Sequence, residues 1–324
     1  MRPSLPRVNK KIVVAAQVGF AAVAVWYVGA AVAHQWSAVG QSARGVHARW
    51  GGLSASCLLV LLAYALLIQT WRMTLRVWSS TLPVGQATRI WFVSNLGRYI
   101  PGKIWQISAM GVMTHRQGVS PVAAAGSSVM INLTSIVSGC LVVFATGARV
   151  LDLATRSGRM AAAGLAVLAV AALVSVPTIV SWLAGRAGAF AGRPFALPAR
   201  LTPRVIAIGL LGTGVAWVLY GMAFQVFSVS LLGDAARGSV ADYIAAYTAS
   251  YVVGYLTLIA PGGLGVREAM LVLTLRMLGA TTEPNGWILA LASRLWLTVL
   301  EVIPGLLFLL AGAVDRPRPI DAGS

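Results

Sequence analysis

The sequence predicts an all-α polytopic membrane protein, with about six full transmembrane helices and two re-entrant helical hairpins arranged as an inverted repeat. Three observations carry this. The chain is 58% hydrophobic and only 10% charged, with mean hydropathy +0.80. It contains several apolar runs long enough to cross a bilayer. Two further apolar stretches are each interrupted by a Pro-Gly break with charges on both sides.

Soluble domains carry about 25% charged residues, so the composition alone sets this chain apart. Apolar runs fall at 12–33, 52–70, 121–147, 160–183, 204–232 and 287–313. A helix needs roughly 20 such residues to cross the hydrocarbon core. The run at 12–33 is too long for the core of a signal peptide, which points to an uncleaved first helix. The expected organisation is a basic cytoplasmic segment at 1–11, one membrane domain at 12–313 and a tail at 314–324. Such a plan leaves no room for a soluble catalytic domain.

The interrupted stretches are 86–116 and 240–279. The first reads Asn95-Leu-Gly-Arg98-Tyr-Ile-Pro101-Gly102-Lys103-Ile-Trp105, the second Pro261-Gly262-Gly263-Leu-Gly265-Val-Arg267-Glu268. Each break divides its stretch into pieces of about 14–20 residues, and the shorter ones suit half-helices better than full spans. A bilayer tolerates broken backbone only where protein or a polar cavity surrounds it.

The two stretches repeat one another. A shift of 160 aligns Pro101 with Pro261, Gly102 with Gly262, Met110 with Met270 and Arg116 with Arg276. In the following helix a shift of 166 sets Ser128, Asn132, Ser135 and Gly139 opposite Arg294, Thr298, Glu301 and Gly305. Those spacings put each set on one helix face. Repeat A covers about 83–147 and repeat B about 238–313. Three spans lie between the hairpins. An odd number makes the second hairpin enter from the opposite side, the inverted arrangement of many secondary transporters.

Orientation follows from the basic residues. With the N-terminus inside, cytoplasmic loops hold Arg72, Arg76, Arg89, Arg116, Arg186, Arg193, Arg200 and Arg204, besides the basic residues of both termini. The outside holds Arg44, Arg49, Arg149, Arg156, Arg159, Arg237 and Arg276. The excess favours N-in and C-in. Lys10, Lys11 and Lys103 are the only lysines, a composition pointing to a GC-rich bacterial genome and hence a bacterial inner membrane. Trp36, Trp50, Trp71, Trp78 and Trp287 fall near span ends and read as interfacial anchors.

The net charge of +17 does not imply nucleic acid, because the cations lie in short loops where they set topology and meet anionic lipid. Cys57 and Cys140 sit inside apolar runs and read as small packing residues. His34, His47 and His115 lack ligand spacing, so no metal and no cofactor is expected. No Walker loop or Ser-His-Asp arrangement occurs. Gly209-Leu-Leu-Gly212-Thr-Gly214 lies inside a span and reads as close helix packing. The chain is therefore expected not to be an enzyme.

What remains are six charges within or beside apolar segments: Arg98, Lys103, Arg267, Glu268, Arg294 and Glu301. A charge at the centre of a helix costs about 2.5–3.5 kcal/mol on insertion scales, so these should converge on one polar cavity. Arg98, Lys103, Arg267 and Arg294 are the candidates for binding a headgroup. Glu268 and Glu301 are the candidates for charge balance or proton coupling. An ion pair between Glu268 and Arg294 that merely locks hairpin to helix is the plainer alternative. Helices starting after Gly102 and Gly263 would turn their unpaired N–H groups toward the same place, and such termini attract phosphate or carboxylate.

These two motifs, with Arg116-Gln-Gly118, resemble the flippase-like transmembrane region of lysylphosphatidylglycerol synthases over about 12–313. The resemblance implies movement of a phospholipid between leaflets, without the synthase's separate soluble domain. In the family an acidic residue often follows the first Pro-Gly. Lys103 and Trp105-Gln106 stand here instead, which implies a more anionic lipid. The expected ligand is an anionic phospholipid or polyprenyl-phosphate lipid. The alternative is a non-transporting membrane partner of an envelope glycosyltransferase or lipid-modifying enzyme.

Overall fold

The computed structural model describes residues 48–76, 80–99, 104–147, 203–257 and 265–314, and part of 155–182. The expected first span at 12–33, the breaks at Pro101, Gly102, Lys103, Pro261, Gly262 and Gly263, and the tail at 315–324 lie outside the described residues.

Among the described residues regular structure is entirely helical. The helices are α1 (Trp50–Leu75), α2 (Val84–Asn95), α3 (Ile104–His115), α4 (Pro121–Thr146), α5 (Pro203–Leu232), α6 (Val240–Leu256), α7 (Val266–Met277) and α8 (Glu283–Val314). Residues described between 156 and 182 are helical as well. Four helices are long and apolar enough to cross a membrane: Trp50–Leu75, Pro121–Thr146, Pro203–Ala235 and Glu283–Ala311. The chain is a polytopic α-helical membrane protein.

Local chemistry sets the helix ends. Ser120 caps α4, its hydroxyl accepting the Ala123 N–H at 3.2 Å, with Pro121 in the first turn. Ser239 and Asp242 form a reciprocal capping box at the start of α6. Gly265 precedes α7 with φ of 79°, a left-handed conformation that glycine adopts without steric cost.

The two interrupted stretches fold along parallel lines. In each, a first limb (α2 or α6) is followed by the break, then by a second limb of 12 residues (α3 or α7), then by a long helix (α4 or α8). Twelve residues rise about 18 Å, well short of a hydrocarbon core of about 30 Å. Within each stretch the limbs pack on one another, and each long helix packs on the second limb preceding it. The long helices also cross over: α4 packs on α6, and α8 on α2.

Two glycines allow that crossing. A Cβ at Gly139 would come within 2.7 Å of Val252 on α6. A Cβ at Gly305 would come within 3.0 Å of the Phe92 carbonyl on α2. Gly139 and Gly305 correspond under the shift of 166, and Phe92 and Val252 under the shift of 160. The two close approaches are therefore equivalent under those shifts.

The most extensive helix contact joins α1 to α5. Here Gly212 admits Thr70, to which a Cβ would come within 2.1 Å, and Gly209 faces Thr134 of α4. The glycine run is helix packing, as its sequence context implied. One expected anchor is different. Trp71 is fully buried and donates its indole N–H to Ser127 Oγ at 3.2 Å, tying α1 to α4. Trp50 and Trp287 are exposed, whereas Trp36 and Trp78 lie outside the described residues.

Candidate lipid-headgroup site

A cavity of about 160 Å³ lies where the interrupted stretches meet α1, α4, α5 and α8. An enclosed volume near 150 Å³ accommodates a benzene ring, so the space suits a small headgroup rather than a whole lipid. Its walls include Arg98, Arg267 and Glu301, the amides of Asn95, Gln106 and Asn132, and an aromatic lining from Tyr64, Trp91, Trp217, Tyr220, Tyr247, Tyr251 and Tyr255.

Arg98 sits in the 3₁₀ turn Leu96–Tyr99 at the end of α2. Its Nη1 donates to Glu301 Oε1 at 2.5 Å. The same carboxylate accepts Tyr64 Oη at 2.6 Å and Tyr99 Oη at 3.1 Å. Glu301 is 3% exposed, and three donors offset much of the cost of burying its charge. The cluster joins α1, the 3₁₀ turn after α2 and α8.

Arg267, in the first turn of α7, is held differently. It is 5% exposed. Its guanidinium lies 3.9 Å from the centre of the Tyr251 ring and 5.9 Å from that of Tyr247. Among the described residues it donates no hydrogen bond to protein, and its Nε and Nη2 are buried without a partner. Gly254 makes room for it, since a Cβ there would come within 2.9 Å of the Arg267 Cβ.

Glu268 and Arg294 form an ion pair with each other and do not line the cavity. Glu268 Oε2 also accepts the Gly265 N–H at 2.7 Å, so the chain's own carboxylate occupies the start of α7. The pair spans α7 and α8, the contact that the plainer alternative read from the sequence requires. Of the six singled-out charges, the cavity thus gathers Arg98, Arg267 and Glu301. Glu268 and Arg294 stand together outside it, and Lys103 falls outside the described residues.

Contacts across the fold set the remaining wall. Tyr255 Oη donates to Asn132 Oδ1 at 2.6 Å, joining α6 to α4. Gln106 Nε2 donates to Asn95 Oδ1 at 2.6 Å, joining the limbs of the first stretch. Sequence reasoning missed Tyr64 and the tyrosines under Arg267. A signal was present: Tyr243, Tyr247, Tyr251 and Tyr255 recur every four residues along α6, which stacks neighbours along one side of a helix.

The family described as lysylphosphatidylglycerol synthase TM region matches residues 14–305. The chain belongs to that family. No curated protein matches the chain. Family membership makes this a multi-pass membrane protein of lipid-related function, and the match runs through every helix that lines the cavity.

Proposed function

We propose that this protein binds an anionic phospholipid or polyprenyl-phosphate lipid by its phosphate and carries the headgroup across the bilayer, while the acyl chains stay in lipid. One observation carries the reading. Arg267 is a buried cation with unpartnered donors on the wall of a headgroup-sized cavity. A buried guanidinium without a partner is costly, and phosphate offers the charge and the acceptor geometry that guanidinium matches best. Arg98 would add a second contact by sharing or leaving Glu301, and Lys103 a third.

The reading includes an inverted repeat whose two breaks form re-entrant hairpins, supported by the 12-residue limbs and by the crossed packing of α4 and α8. It includes no catalytic step. It places the chain in a bacterial inner membrane with both termini cytoplasmic, and Glu301 as the group that balances charge or takes up a coupling proton.

Transport in proteoliposomes tests it. Reconstituted protein should move headgroup-labelled anionic phospholipid between leaflets, and Arg267→Ala should remove most of that activity. Losing a charge-assisted contact of roughly 1.5–3 kcal/mol lowers affinity about ten- to a hundred-fold. Unchanged transport in a folded Arg267→Ala variant would refute the site. Arg267-dependent binding without any transport would favour a partner that presents lipid to an envelope enzyme.

A further inference from the structure

We infer that the preferred headgroup is a monoanionic phosphodiester bearing an uncharged, oxygen-rich group such as a polyol or sugar, and that headgroups carrying an ammonium are selected against. The inference rests on the lipid-binding reading and narrows its substrate class.

The unmet hydrogen bonds of the described wall are all of one kind. Among the described residues lining the cavity, the buried polar side-chain atoms without a partner are Arg267 Nε and Nη2, Asn95 Nδ2 and Trp91 Nε1. All are donors. Asn95 is 2% exposed and Trp91 8%, so neither has ready access to bulk water. Each such donor left unmet in the interior carries a desolvation cost. A ligand that relieves it must bring acceptors, charged at Arg267 and neutral at the amide and indole.

Charge points the same way. Among the described residues of the wall, two guanidiniums face one carboxylate, leaving one positive charge. A phosphodiester matches it. An ammonium in the headgroup would need an acceptor, preferably a carboxylate. Glu301 already accepts from Arg98, Tyr64 and Tyr99, and Glu268 is committed to Arg294 and Gly265. The amide oxygens of Asn95 and Asn132 each already accept one hydrogen bond, from Gln106 and Tyr255, and what acceptor capacity these amides keep is neutral. The wall offers polyol or sugar oxygens the donors they need and, among its described residues, gives an ammonium no uncommitted carboxylate. Aromatic side chains beside these donors suit the apolar face of a sugar ring.

Native mass spectrometry of the detergent-solubilised full chain tests this in equimolar mixtures of phosphatidylglycerol, phosphatidylethanolamine, lysyl-phosphatidylglycerol and phosphatidic acid. Phosphatidylglycerol should exceed both ammonium lipids by about tenfold, the effect of one unmatched polar group in a closed site. Trp91→Phe removes the indole N–H together with part of the ring, and should narrow the phosphatidylglycerol-to-phosphatidic acid ratio several-fold; Trp91→Leu, which also lacks the donor, should narrow it as well. Arg267→Gln should reduce binding of every anionic lipid, with Arg267→Lys intermediate if the glutamine variant fails to fold. Ammonium lipids bound as tightly as phosphatidylglycerol, with all binding still lost in Arg267→Gln, would overturn the headgroup inference alone. Binding indifferent to Arg267 in a folded variant would overturn the site itself. Soluble glycerophosphoglycerol displacing phosphatidylglycerol mole for mole would mean that the ligand is a free diester, and would overturn the lipid assignment.

Discussion

Two of the three glutamates, Glu268 and Glu301, show how burial divides labour at the level of single residues. Glu268 satisfies its charge within a few residues of chain and one partner helix, through Gly265 N–H and Arg294. Removing one member of a buried pair strands the other, at a cost of about 3–5 kcal/mol. Glu268→Gln should therefore lower the melting temperature, and adding Arg294→Gln should recover part of the loss, as read by thermal unfolding in detergent. A double variant no more stable than Glu268→Gln would mean the pair is not what stabilises this corner. Tyr251 poses a different question, because its ring faces the Arg267 cation. Tyr251→Leu should cost the cation–π term, about 0.5–2 kcal/mol, whereas Tyr251→Phe should retain most of it. Equal losses in both variants would assign the effect to the hydroxyl.

Between elements, close approach depends on positions without a side chain. Gly254 gives Arg267 its place against α6, and Gly97 faces the Gln106 backbone, to which a Cβ would come within 2.8 Å. In each stretch a glycine that precedes the break thus admits a residue of the second limb. Gly254→Ala changes no charge, yet it should shift Arg267 and weaken anionic-lipid binding by severalfold at a smaller cost in melting temperature than Gly221→Ala. At Gly221 a Cβ would come within 2.4 Å of the Ile244 Cα, so alanine there must part α5 from α6, and overpacking of that kind typically costs about 1–3 kcal/mol. Lipid titrations and unfolding curves on both variants separate the effects. The opposite ranking would show that α5 and α6 tolerate separation better than the limbs of the second stretch do. Pattern alone could not identify these glycines, since Gly254 and Gly221 sit inside apolar runs where glycine is common. What marks them is the atom that faces them, which is set by another helix.

For the whole molecule, the inverted-repeat reading fixes which loops share a side. With the three intervening spans, the loop near 149–159 is expected outside and the loop near 186–204 inside. Single cysteines at Ser157 and Ala196, with Cys57 and Cys140 replaced, should react with a membrane-impermeant thiol reagent in intact cells at Ser157 only. Labelling at Ala196 and not at Ser157 would reverse the orientation, and labelling of both would break the parity on which the inversion depends.

The all-helical, multi-pass character was readable in the sequence, because hydropathy and length decide what a bilayer accepts, and both are properties of consecutive residues. The approximate positions of the long helices followed for the same reason, whereas the contacts of Gly139 with Val252 and of Gly305 with Phe92 join different helices and came only with the fold. Which charges face the cavity was decided only by tertiary structure. Arg267 and Glu268 are neighbours in the chain, yet one lines the cavity and the other turns to Arg294. Trp71 looked like an interfacial anchor until α4 covered it. The tyrosines of α6 were visible as a ladder, but their function as a platform for Arg267 depends on how closely α7 packs on α6. The physical reason is common to these cases. A side chain's partner in a helical membrane protein lies mostly on another helix, so sequence can name the groups that must be satisfied, and the fold determines what satisfies them.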